Sequence, residues 1–141
     1  MKTNKLVIDT SVIVKWFVTD DELYTKEAEQ ILKDAVANKI VLYTPSLARY
    51  ELGNSIVKRK TNLLSAFDYL ETFYKSPITI VDETEELALL TYRIAHEYTL
   101  TYYDASFVAL AKQENAILIT DNTKHQAKVK EAKVVPLKDY K

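Results

Sequence analysis

The chain has no cysteine, a single glycine, three prolines, one tryptophan and two histidines among 141 residues. Without cysteine there is no disulfide, no thiolate metal site and no thiol nucleophile. Any metal chemistry must use oxygen or imidazole ligands, and imidazole is scarce. No apolar run approaches the ~20 residues needed to cross a bilayer, and Met1-Lys2-Thr3-Asn4 leads straight into a strand-like segment. The expectation is a cytoplasmic protein with no signal peptide and no membrane partner. Net charge is −1, so a basic surplus of the kind that holds nucleic acid by phosphate neutralisation is also missing. If the chain handles nucleic acid, it does so through local patches. No glycine-rich Walker loop is present to cradle a nucleotide.

What is present is an ordinary globular balance, 48% hydrophobic and 28% charged, in a length that suits one domain over residues 1–141. Few glycines and ten tyrosines fit a stiff, heat-adapted chain. Short apolar runs at Lys5–Asp9, Ile40–Tyr43, Ile78–Val81, Ala116–Thr120 and Lys133–Pro136 read as strands. Between them, helical spacing covers Val12–Val18, a stretch from Asp20-Asp21-Glu22 to Ala37, and a stretch from Thr44-Pro45-Ser46 through Arg59. Leu63–Phe73, Thr84–Tyr98, Asp104–Asn115 and Thr123–Glu131 complete the helices. Strands alternating with helices indicate an α/β fold, a central parallel sheet of four to five strands with helices on both faces.

In such sheets ligands gather outside the carboxyl ends of the strands. Asp9 ends the first strand and Asp121 the fourth. Glu51 lies two turns into a helix with Asn54 on the same face, and Asp104 opens the helix "DASFVALAKQEN". Each acid also has a plain structural reading: Asp9 as a helix cap, Glu51 as a solvated helix residue, Asp104 as the partner of a Thr101 cap, Asp121 as a turn or cap. Gly53 sits mid-helix between Glu51 and Asn54, at a cost of ~1 kcal/mol against alanine, which suggests close approach of another backbone, a strand end or a ligand.

Two unit charges ~4 Å apart repel by roughly 4 kcal/mol at an effective dielectric of 20, so clustered carboxylates must take up protons or a cation. Oxygen-only ligation points to Mg²⁺ or Mn²⁺, which also coordinate phosphate oxygens.

The segments "VIDTSVIVKWF", "PSLARYELGN", "YYDASFVALA" and "ILITDN" resemble, in order and spacing, the motif blocks of PIN-domain proteins, above all the VapC-like toxins of toxin–antitoxin pairs. The resemblance implies a PIN fold and a Mg²⁺- or Mn²⁺-dependent ribonuclease. It carries the family's catalytic acids onto Asp9, Glu51 and Asp104, with Ser11 and Asn54 in support. Asp9 and Asp104 become metal ligands, and Glu51 a ligand directly or through water. The family's fourth acid, in a T-x-D block beginning here at Thr120, falls on Asn122, while Asp121 stands one place early. Either residue is then expected as an outer contributor. The resemblance further implies an RNA substrate, a cognate antitoxin and a homodimer.

For RNA contacts the basic candidates are Lys15 and Arg49, close in sequence to the acids, and Lys124, His125 and Lys128 near the Asp121 turn, with Lys58-Arg59-Lys60 as a further basic stretch. A solvated helix face is the competing reading for each. Tyr50, Tyr69, Tyr92, Tyr102 and Trp16 read as packing residues. Two other functional classes compete: a PIN-like binding module with a degraded site, and an aspartyl phosphotransferase, against which the missing second aspartate of a D-x-D motif argues.

Overall fold

A computed structural model describes residues 4–20 and 22–141. Strands β1 (Asn4–Ile8), β2 (Ile40–Pro45), β3 (Ile78–Val81), β4 (Ile117–Thr120) and β5 (Val134–Pro136) form one sheet in the order β3-β2-β1-β4-β5. Every pairing is parallel. The central strand explains the opening apolar run: Leu6, Val7 and Ile8 are all buried, because both faces of a parallel sheet are covered. Leu6 lies beside Leu42 on one side and Ile117 on the other.

The helices are α1 (Thr10–Val14), α2 (Thr25–Val36), α3 (Leu47–Lys58), α4 (Leu63–Lys75), α5 (Glu85–Tyr98), α6 (Tyr102–Glu114) and α7 (Thr123–Gln126), with a 3₁₀ turn at Leu137–Asp139. Chain order runs outward from β1 to β3, then jumps back to β4. Right-handed crossovers therefore put α1–α4 on one face and α5–α7 on the other. The direction of winding reverses between β1 and β4, the place where open α/β sheets gape at their carboxyl ends. Phe73, Ile94 and Phe107 fill the layers against the sheet, whose Leu42, Leu118 and Ile119 are equally buried. Among the described residues no helix is long and apolar enough to cross a membrane.

Several boundaries depart from the sequence expectations, each for a visible reason. Helix α1 stops at Val14, and the chain from Lys15 to Phe17 tightens into i→i−3 hydrogen bonds. Helix α2 starts at Thr25, after Tyr24 takes a left-handed φ of 62°. Glu22 stays outside that helix, drawn to two cations described below, and Asp21 lies outside the described residues. Pro45 closes β2 instead of opening α3, and buried Thr44 donates to the Ile8 carbonyl at 2.9 Å, tying the ends of β2 and β1 together. Helix α7 spans four residues and does not reach Glu131. Of the following five residues, 127–131, only Val129 is buried, too small an apolar face to hold a longer helix to the sheet.

Gly53 is not a point of close approach: a Cβ placed there would meet nothing within 4 Å. Tyr50 is 74% exposed and Tyr92 is 65% exposed, so these residues face solvent where packing was expected. Tyr102 is also exposed, whereas Tyr69 and Trp16 do pack against the core, Trp16 donating to the Ala28 carbonyl at 2.9 Å.

Candidate active site

Asp9 follows β1 at the reversal point, its N–H bonded to the Ile119 carbonyl of β4 at 3.0 Å. It does cap α1, accepting from the Ser11 N–H at 3.3 Å, so the structural reading is correct as far as it goes. That leaves the rest of the carboxylate to be explained. Oδ2 also accepts the Ser11 hydroxyl at 2.6 Å and the Thr120 hydroxyl at 3.3 Å. All three bonds fall on one oxygen. Among the described residues no buried side-chain oxygen lacks a partner, so Oδ1 is open to the cleft that Asp9 lines.

That cleft, about 390 Å³, lies over the strand ends. Glu51 enters from α3 and Asp104 from the first turn of α6. Thr10, buried at the start of α1, donates to Glu51 Oε1 at 2.7 Å and fixes that side chain. Asp104 is placed by Thr101, whose hydroxyl accepts its N–H at 3.0 Å, and by buried Gln126, which donates to its carbonyl at 3.2 Å. Burial pushes the Asp9 carboxyl up from its ordinary value near 3.8, and Asp104 adds to the rise. Burial likewise raises Glu51 above 4.5, with further repulsion from Asp9 and Asp104. Among the described residues none of these three acids has a basic side chain within ion-pair distance.

The fourth position is resolved in space. Asp121 lines the cleft, its N–H donating to Ser11 Oγ at 3.1 Å and its carboxylate 3.2 Å from Lys15 Nζ. Asn122 instead caps α7 through the Lys124 N–H at 3.3 Å, and its own N–H is held by Thr120 Oγ1 at 3.1 Å. Asn54 is exposed and lines a neighbouring hollow with Glu51, outside the main cleft. Of the basic candidates, Lys15 and, from the Lys58-Arg59-Lys60 stretch, Arg59 reach the cleft. Arg49 lies 3.8 Å from Asp82, Lys128 donates to the Thr99 carbonyl at 3.4 Å, and Lys124 and His125 stand exposed on α7.

Thr10, Glu22 and Ser55 also line the cleft, and none was singled out in the sequence as a site residue. Glu22 had a signal. Lys15 stands between Val14 and Trp16, and a buried ammonium requires a carboxylate. Glu22 supplies one at 2.8 Å and is itself held by Arg59 at 2.9 Å.

Asp9, Glu51 and Asp104 offer only hard oxygen donors, which suit Mg²⁺ or Mn²⁺. Among the described residues no three histidine, aspartate or glutamate side chains stand close enough together to hold a metal ion between them as placed. An open arrangement fits an ion that keeps several waters and binds through one or two carboxylates.

The raised acids give a measurable pH dependence. A carboxyl whose native pKa exceeds its unfolded value binds more protons when folded, so stability falls as pH rises through that interval. In chelator, the melting temperature is therefore expected to rise as pH drops from neutrality towards ~4.5. Below that it falls again. Hydrogen bonds from Lys15 hold Glu22 under its ordinary 4.5, and those from Arg93 hold Glu131 near 2, so their contribution is lost as both protonate. Thermal melts across pH 4 to 8, with and without Mn²⁺, check this, and added Mn²⁺ should flatten the fall above ~4.5 by favouring the ionised acids.

"Ribonuclease VapC3" of Pyrobaculum aerophilum is 29% identical over 123 residues, 82% of this chain and 88% of that protein. The solved VapBC2 of Rickettsia felis, bound to a DNA fragment from its promoter, superposes with a TM-score of 0.74 at 17% identity, covering 94% of this chain and 98% of that one. A toxin–antitoxin complex from Klebsiella pneumoniae gives a TM-score of 0.66 at 23% identity, covering 94% and 97%. Residues 6–132 match the PIN domain model, a span that runs from β1 past every acid of the cleft, and the chain belongs to the PIN-domain family.

Proposed function

We propose that this chain is a Mg²⁺- or Mn²⁺-dependent endoribonuclease and the toxin of a toxin–antitoxin pair. The observation that carries the reading is the cleft itself: Asp9, Glu51 and Asp104, unpaired by any described basic side chain, at the reversal point of a PIN fold. The likeness to a curated ribonuclease supports RNA as the substrate, and the solved toxin–antitoxin complexes support a cognate antitoxin as partner. A homodimer belongs to the same proposal, supported by the exposed apolar side chains Tyr50, Val57 and Phe67 of α3 and α4.

In this reading Asp9 and Asp104 hold the ion, with Glu51 alongside. When bound, the ion neutralises phosphodiester charge and lowers the pKa of the attacking water. The protein supplies geometry and proton acceptance. Ser11 and Thr120 occupy Asp9 Oδ2 and so present Oδ1 to the cleft. Thr10 fixes Glu51 Oε1, and the raised basicity of that carboxylate suits it to take the water's proton at Oε2.

The test is cleavage of structured and single-stranded RNA with Mg²⁺, with Mn²⁺ and with EDTA. Cleavage that appears with either metal and disappears in EDTA is expected. Metal binding without cleavage of any RNA would point instead to a PIN-like binding module, and phosphoryl transfer onto Asp9 from a small phosphodonor would replace the nuclease reading.

A further inference from the structure

Lys15 is 3% exposed, yet its ammonium does not sit at random in the core. It lies 2.8 Å from Glu22 Oε2 and 3.2 Å from Asp121 Oδ2, inside the same cleft as Asp9, Glu51 and Asp104. Glu22 is anchored in turn by Arg59 at 2.9 Å, so Lys15 is held from both sides and a rotamer change would strand a buried charge. Among the described residues, five carboxylates and two basic side chains line the cleft. Lys15 answers Asp121 and Arg59 answers Glu22, which leaves three acids without a cation.

Asp121 is thus set apart from the other acids although it is joined to them. Its N–H donates to Ser11 Oγ, and the same hydroxyl donates to Asp9 Oδ2, so one serine links the ends of β4 and β1. The backbone brings Asp121 to the cluster, and Lys15 claims its charge. We propose that Lys15 is a resident cation that removes Asp121 from the metal-binding set, so that the cleft takes one divalent ion on Asp9 and Asp104, with Glu51 alongside, and no second ion beside Asp121. The inference rests on the reading of those three acids as the metal-binding set. It adds that the fourth acid is a positioning residue acting through Lys15, and that ion number is set by a lysine. Three negative charges balance one divalent ion with one charge remaining. A second ion at Asp121 would have to displace, or stand against, an ammonium that cannot withdraw to solvent.

The test counts ions directly. Mn²⁺ is titrated into the full-length protein, with free Mn²⁺ read by electron paramagnetic resonance and heats by calorimetry, for the native chain and for Lys15→Met, Asp121→Asn and Asp104→Asn. The native chain is expected to bind close to one Mn²⁺. Asp104→Asn weakens that affinity at least about tenfold, Asp121→Asn weakens it several-fold less than that, and Lys15→Met gains a second, weaker ion. Two ions bound by the native chain overturn the inference and leave the metal-dependent reading standing, as does a folded Lys15→Met that still binds one. Loss of affinity in Asp121→Asn equal to that in Asp104→Asn also overturns it, and decides the matter if Lys15→Met does not fold, since Asp121 is partly exposed. No Mn²⁺ bound by the native chain overturns the metal reading, and this inference with it.

Discussion

Asp9→Asn is expected to cut metal-dependent RNA cleavage by about 10³-fold or more, equivalent to ~4 kcal/mol of barrier, while leaving the chain folded. The two halves of that outcome come from the two sides of one carboxylate. An amide oxygen still accepts from the Ser11 N–H, so the cap of α1 survives. What goes is the charge at the open oxygen, which in the proposed function holds the ion. The same loss should stabilise the metal-free protein. Burial and Asp104 both oppose a negative charge on Asp9 and hold its pKa up, and both penalties vanish with the carboxylate. The variant is therefore expected to melt higher than the native chain in EDTA at neutral pH, and to show a shallower fall of stability with rising pH. RNA cleavage assays and chelator melts read the two effects separately. Lost activity with a lowered melting temperature would make Asp9 a structural residue, and retained activity would remove it from the reaction.

Much of this site could be read in the string because its framework is local. "VID" and "LITD" are apolar strands that end in an acid, and parallel pairing brings their ends together without further information. The Thr101 and Thr84 caps and the helices that follow them are likewise written in nearby residues. Gly53 shows where such reasoning fails. A lone glycine in a helix has the same cost whether a neighbour crowds it or not, and only the fold shows that nothing does. Tyr50 fails in the same way, since apolar character does not say which face of α3 meets the core. At "TDN" the string left two candidates one residue apart. The answer is set by backbone direction: Asp121 turns to the cleft and Asn122 to the α7 N-terminus. Glu22 was signalled only indirectly, through Lys15 between Val14 and Trp16, because it lies in an irregular segment before α2 with no periodicity, and its partners are seven and 37 residues away.

Glu22→Ala should for that reason destabilise the protein by ~2 kcal/mol, well beyond an ordinary surface substitution. The affected group is not Glu22, which is 21% exposed, but Lys15, whose ammonium would remain buried with Asp121 as its single described partner. Arg59 is 40% exposed and can turn to water, so Arg59→Ala should cost under ~1 kcal/mol although it breaks a contact to the same carboxylate. The pair of variants thus separates a buried charge left short from a surface pair removed. The pH dependence fixes the sign. The native pKa of Glu22 lies below its ordinary 4.5, chiefly through the hydrogen bond from Lys15, so its stabilisation is complete above 4.5 and is lost as pH falls through the lowered native value. The gap between native and Glu22→Ala in urea unfolding should accordingly be widest near neutrality and narrow below pH ~4.5. A gap that is small at neutrality, or that widens in acid, would mean that Lys15 does not depend on Glu22 for its charge balance.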